Sequence, residues 1–241
     1  MPNYAIIGAT GGVGSTLSQK LINEGGNVFP VARNEEKLKY LQKNIGHTES
    51  YLLQDISFEE IDKALQSATD CLGELDGVVN CIGSILLKPA HLTREDEWGR
   101  VILTNLTSSI AVVRSSANQM FKSGGSIVLF SSAAALIGLP NHEAIAAAKG
   151  GVIGLTRSAA ATYSSKKIRI NCIAPGLIQT SLTERITNSP VALKNSLSLH
   201  PIGRIGEPKE VASFAQWLLS KESSWVTGQV YPMDGGLSSI K

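Results

Sequence analysis

The chain is short of several things, and each shortage excludes a class of protein. It has three cysteines in 241 residues, Cys71, Cys81 and Cys172, each standing alone. Single cysteines make neither a disulfide framework nor a zinc site, so no metal is expected and a reducing, cytoplasmic compartment is. Charge of one sign is also lacking, because 22 Lys+Arg against 20 Asp+Glu leave a net charge of +2. That balance gives no reason to expect nucleic acid or an anionic membrane as a partner. No apolar run approaches the roughly 18 residues that a bilayer span needs. Met1-Pro2-Asn3-Tyr4 leads straight into a strand-like run, so no signal peptide is expected. Internal repeats, low-complexity tracts and linkers are missing too.

With 43% apolar and 17% charged residues the chain can bury a sizeable core. Its length suits a single domain over residues 1–241. Short apolar runs predict strands at 4–7, 27–32, 49–53, 77–81, 126–130, 168–173 and 228–232. Several are continuously apolar, such as Ile127-Val128-Leu129-Phe130, as strands covered on both faces are. Segments of helical period fall at about 12–25, 34–45, 57–72, 93–121, 143–163 and 207–220. Asn34 before Glu35-Glu36 and Ser57 before Glu59-Glu60 read as helix starts. This alternation predicts an α/β chain with a doubly wound parallel sheet, the Rossmann arrangement. The stretch 176–206, with Pro190 and Pro201, shows no clear element and reads as a substrate lid.

The first strand runs into Gly8-Ala9-Thr10-Gly11-Gly12-Val13-Gly14 and a helix pattern begins at once. Glycines there permit a tight turn and let backbone N–H groups approach a pyrophosphate at a helix N-terminus. The same glycines would also serve a plain strand–helix turn. The spacing is neither G-x-G-x-x-G, because Leu17 stands at the third position, nor a Walker loop. After the second strand come Val31-Ala32-Arg33-Asn34. An acid there would bind the ribose 2′-OH of NAD, whereas a guanidinium suits the 2′-phosphate of NADP. The expectation is therefore NADP(H), with NAD(H) as the alternative and Glu35 and Glu36 as the residues that speak for it.

Taken together, these features resemble the short-chain dehydrogenase/reductase family, especially its 3-oxoacyl-acyl-carrier-protein reductases. Gly8, Gly12 and Gly14 match the family's glycine motif, although Ile7 stands where the family usually has threonine. Asn80-Cys81-Ile82-Gly83 matches the Asn-Asn-Ala-Gly element at its first and last residues. Asp55 matches the acid that contacts adenine, and Pro175-Gly176-Leu177-Ile178-Gln179-Thr180 matches the loop that holds the nicotinamide. The resemblance implies a cofactor site made from Gly8, Thr10, Gly12, Val13, Gly14, Arg33, Asn34, Asp55, Ile56, Asn80, Gly83, Lys149, Pro175, Gly176, Ile178 and Thr180. It also implies a catalytic set of Ser132, Asn105 and Lys149, and a homo-oligomer, tetramer or dimer.

The likeness breaks at one position. The family's active-site motif is Tyr-x-x-x-Lys, with the tyrosine about 13 residues after the serine. Ile145 stands there, four residues before Lys149. In the family the tyrosine gives a proton to the carbonyl oxygen, and isoleucine has none to give. Losing a positioned general acid costs roughly 10²–10⁴ in rate, about 3–5 kcal/mol of barrier. His142, three residues before Ile145 on one helix face, is a candidate substitute; so is Glu143, and so is a water held by Ser132 and Lys149. After Thr180 the apolar residues Leu182, Ile186, Val191, Leu193, Leu197 and Leu199 read either as a lid over an acyl substrate or as ordinary core. The expected function is an NADP-dependent oxidoreductase acting on a small carbonyl or acyl compound with an atypical proton donor. The alternatives are a catalytically silent NADP(H)-binding or partner-subunit protein, and different chemistry on the same scaffold.

Overall fold

Consecutive apolar residues in a strand need cover on both faces, and the computed structural model, which describes residues 1–46 and 49–240, shows where each face goes. Seven strands, β1 (Asn3–Ile7), β2 (Asn27–Ala32), β3 (Tyr51–Leu52), β4 (Gly77–Asn80), β5 (Gly125–Phe130), β6 (Ile168–Pro175) and β7 (Val230–Met233), form one sheet. Their order is β3-β2-β1-β4-β5-β6-β7 and every pairing is parallel. Alternate residues serve opposite layers, as the pleat dictates. Ala5, Ile7, Val78, Ile127 and Leu129 pack with residues of α3 (Phe58–Leu72), α5 (Ser108–Gln119) and α6 (Glu143–Tyr163). Tyr4, Ile6, Val79 and Val128 pack with α1 (Gly12–Asn23), α2 (Glu35–Ile45) and α9 (Pro208–Leu219). The order reverses direction between β1 and β4, so the crevice beyond the carboxyl ends of those strands is where such a sheet accepts a ligand.

Three elements differ from the sequence expectation, each for a local reason. The third strand shrinks to two residues, paired as Val31↔Tyr51 and Ala32↔Leu52. Pro30, just before them in β2, has no N–H to extend that ladder. The helix expected over 93–121 is instead α4 (Glu95–Ile102), a π-helical turn (Leu103–Thr107) and α5. The stretch 176–206, expected to lack clear elements, contains α7 (Glu184–Thr187) and α8 (Pro190–Leu199). Pro190 does not break a helix here but opens one, at the first turn, where its missing N–H costs nothing, with Ser189 as the cap. Of the apolar residues expected to form a lid or core in this stretch none is buried, and Val191 and Leu182 are 72% and 51% exposed, which removes the ordinary-core reading.

The C-terminal end of α9 is held by Arg169 of β6. Its guanidinium donates to the carbonyls of Leu218 (2.9 Å), Ser220 (3.2 Å) and Val226 (3.2 Å). A cation there satisfies carbonyls that the helix leaves unpaired. Arg169→Met is expected to cost about 2 kcal/mol, read as a melting temperature roughly 4–8 °C lower by calorimetry.

Candidate active site

At the carboxyl edge of the sheet the chain changes direction three times around one cavity of about 410 Å³. Its floor is the turn from β1 into α1. A Cβ on Gly14 would stand 2.5 Å from the Gly8 carbonyl oxygen, so only glycine lets the helix begin this close to the strand. Helix α1 then starts from Gly11 with no side-chain cap and no acid in its first turn. The next two helices are built differently. Asn34 accepts from the Lys37 N–H, Ser57 accepts from the Glu60 N–H, and both first turns carry two glutamates. The positive end of α1 is therefore not answered by any side chain of its cap or first turn.

The opposite wall is the end of β6 and the segment after it. Pro175, Gly176, Ile178 and Thr180 line the cavity, and a Cβ on Gly12 would lie 2.7 Å from Thr180 Cγ2. Thr183 pins this segment, donating to the Ile178 carbonyl (2.6 Å) and accepting from the Thr180 N–H (3.1 Å). Leu182 and Ile85 add hydrocarbon.

The third wall carries the polar groups. Helix α6 is tied to the end of β5 by Ser131, whose hydroxyl donates to the Lys149 carbonyl (2.9 Å). Lys149, only 7% exposed, donates from Nζ to the Phe130 carbonyl (2.8 Å). Burial pulls its pKa down to about 8, and its titratable neighbours are the Cys172 and Cys81 thiols. Burial pushes those thiols up to about 11 and about 12, so both stay neutral. Lys149 has no salt-bridge partner among the described residues. Ser132 closes β5, its Oγ accepting from the Ala134 N–H (3.2 Å). Asn105, wholly buried in the π turn, donates to the Val101 carbonyl (2.9 Å). Ile145 faces the same cavity one helical turn before Lys149, packed with Val101, Ala144 and Ala148.

Of the residues picked out by sequence, the cavity gathers Gly12, Val13, Gly14, Gly83, Asn105, Ser132, Lys149, Pro175, Gly176, Ile178 and Thr180. Gly8 shapes its floor from beneath, as its contact with Gly14 shows. Asn80 is buried behind it, donating to the hydroxyls of Ser108 (3.1 Å) and Ser109 (3.2 Å). Thr10 opens instead onto a wide neighbouring depression that Lys37 also lines. Arg33 is exposed at the end of β2, and Glu35 beside it is engaged by Lys39 (2.6 Å). Asn34 is occupied as the α2 cap, Ile56 is buried, and Asp55 is exposed, with Oδ1 accepting from the Ser57 N–H (2.7 Å). Hydrogen bonding from Ser57 holds the Asp55 carboxyl below its usual range. His142 is not brought in. It sits at the start of α6 with Nδ1 2.7 Å from the Pro140 carbonyl and does not line the cavity; neither does Glu143. The sequence reading missed Ser84, which lines the cavity directly after Gly83. Its place at the carboxyl end of β4 was the signal that could have found it.

One cavity thus gathers a helix start without a side-chain cap, a buried lysine without an ion-pair partner among the described residues, and hydroxyls beside hydrocarbon. The chain belongs to the short-chain dehydrogenase/reductase family: the family model described as enoyl-(acyl carrier protein) reductase matches residues 8–238. Its members are oxidoreductases. The 3-oxoacyl-[acyl-carrier-protein] reductase FabG of Thermotoga maritima is 36% identical over 239 residues, 96% of each chain. The protein named inactive 2-(S)-hydroxypropyl-CoM dehydrogenase 2 of Xanthobacter autotrophicus is 32% identical over 230 residues, 93% of this chain and 100% of the relative. The crystal structure of a point variant of the actinorhodin polyketide ketoreductase with NADPH superposes with a TM-score of 0.91 at 26% identity, covering 99% of this chain and 98% of that one. No helix among the described residues is long and apolar enough to cross a membrane, and no cluster of three or more metal-ligating side chains occurs among them.

The buried lysine sets a pH signature. Its folded pKa lies near 8 against 10.5 for the free side chain. Between those values the unfolded chain holds the proton that the folded chain has released, so stability rises with pH there. Across about pH 8–10.5 the wild-type melting temperature should climb relative to Lys149→Met. A constant difference between the two would show that the ammonium is not desolvated.

Proposed function

We propose that the protein is an NADP(H)-dependent oxidoreductase for a small carbonyl/alcohol pair, working with an altered proton donor. The observation that carries this reading is the convergence of the uncapped α1 start, Asn105, Ser132 and Lys149 on one cavity. The pyrophosphate would rest on the Gly11–Gly14 amides, where no carboxylate competes. The Lys149 ammonium would hold the nicotinamide ribose, and Pro175, Gly176, Ile178 and Thr180 would fix the nicotinamide. Such a cofactor supplies hydride to, or takes it from, the substrate carbon. Ser132 would hold the substrate oxygen by donating its hydroxyl proton. Ile85, Ile145 and Leu182 would give that substrate an apolar bed, which suits an acyl chain or a compact ketone. Helices α7 and α8 would close over it as a lid.

Arg33 supports NADP over NAD: its guanidinium is exposed at the strand end, whereas Glu35 is already bound to Lys39. A ligand at about 100 times its Kd adds about 2.7 kcal/mol of stability, roughly 5–11 °C in melting temperature for a chain of this size. NADPH should give that shift, NADH a smaller one, and Arg33→Ala should abolish the difference. An equal or larger shift with NADH would reverse the assignment.

Ile145 supports a second reading, a silent NADP(H)-binding protein or partner subunit, and the relative named inactive is in keeping with it. Turnover separates the two. Under the first reading the wild type reduces an activated diketone above the free-cofactor rate, and Ile145→Tyr raises kcat by about tenfold or more by restoring a phenolic acid. Under the second the wild type binds NADPH with no turnover.

A further inference from the structure

The Ser84 hydroxyl is oriented by a chain of forced choices. The Val101 carbonyl can only accept, so the Asn105 atom 2.9 Å from it must be the amide nitrogen. Asn105 Oδ1 then faces the Ser84 N–H, at 3.1 Å, which a nitrogen in that place could not accept. The second N–H of the Asn105 amide points at Ser84 Oγ, at 2.9 Å. Ser84 Oγ is therefore an acceptor in this pair, and its own proton is free to point elsewhere. No acceptor for that proton occurs among the described residues, and Ser84 lines the cavity. The cation lies close by: a Cβ on Gly83, the adjoining residue, would stand 3.9 Å from Lys149 Nζ and 3.6 Å from Asn105 Oδ1.

We propose that Ser84 is the residue that passes a proton to the substrate oxygen, the task for which position 145 offers only hydrocarbon. This rests on the oxidoreductase reading above. In the reducing direction the carbonyl carbon gains hydride from the reduced nicotinamide and the C=O π pair moves to oxygen. That oxygen forms an O–H bond with the Ser84 proton as the Ser84 O–H bond breaks. Ser84 Oγ then regains a proton from hydronium or a buffer acid of the solvent. The sum is carbonyl, reduced nicotinamide and one proton giving alcohol and oxidised nicotinamide, with the serine returned unchanged. A substrate alkoxide and a serine alkoxide are bases of similar strength, so the transfer is close to balanced. The Asn105 N–H and the nearby ammonium stabilise charge on Ser84 Oγ while it lasts. Ser132, whose hydroxyl sits on another strand end, steadies the same substrate oxygen.

The test uses wild type, Ser84→Ala and Ser84→Thr, with NADPH and an activated 1,2-diketone, and reads kcat, KM and the NADPH-induced melting shift. In Ser84→Ala kcat should fall about 100-fold or more while KM stays within about threefold, the split expected when a group acts only in the transition state. The NADPH shift should be unchanged, and Ser84→Thr, which keeps a hydroxyl, should recover to within about tenfold of wild type. In an Ile145→Tyr background Ser84→Ala should cost less than about threefold, because a phenol then supplies the proton. Wild-type kcat in Ser84→Ala overturns the assignment, as does a loss of the NADPH shift with the loss of turnover, which would make Ser84 a structural support. A wild type that binds NADPH and reduces nothing overturns it too. A wild type with no NADPH shift at all fails the nicotinamide reading itself, and the proposal falls with it.

Discussion

The site depends on one close approach of backbone to backbone, the start of α1 against the end of β1. Gly14 lies so near the Gly8 carbonyl that a side chain at 14 is excluded. This contact sets the helix axis on the edge of the sheet, with its first amides facing the crevice. Everything opposite is then placed by the carboxyl ends of parallel strands: Gly83 and Ser84 after β4, Ser132 after β5, Pro175 at the end of β6 and Gly176 after it. The sheet thus brings together residues far apart in the chain without any long loop having to find its partner.

The polar wall shows how burial and chemistry are traded. Lys149 is held in a nearly dry setting by one carbonyl bond beside two neutral thiols, with no carboxylate among the described residues to offset it. Such a cation lowers the stability of the empty fold and raises the affinity for whatever negative or hydroxyl-bearing group enters. Asn105 is the counterpart, a buried amide with its three interactions all spoken for. The π turn is what carries it there. An extra residue in a helical turn rotates one position out of the regular face, a device often found at functional sites.

Most of this architecture could be read from the residues. Five helices and most strands lie within a few residues of their expected bounds. Their apolar periods are clean, and the caps Asn34 and Ser57 are conventional. The failures share a cause. Period says nothing about hydrogen-bond register, so the π turn within 93–121 was hidden, and the stretch 176–206 showed no clear element although Ser189 and Pro190 open a helix there. The gathered site residues lay in motifs whose spacing is itself geometric, such as the glycine turn and the run from Ile145 to Lys149. His142 was misjudged and Ser84 missed for the opposite reason. Helical spacing put His142 on the right face, but it lies at the helix cap, turned to Pro140. Ser84 belongs to no spaced motif; only its place after β4 marked it, and its partner is an asparagine 21 residues away.

Cys81 borders the cavity, yet its thiol is pushed up to about 12 by burial. At neutral pH the sulfur is held as the thiol, not as the thiolate that reacts with electrophiles and peroxides. Beside this cavity it packs as a small apolar side chain rather than standing ready as a nucleophile.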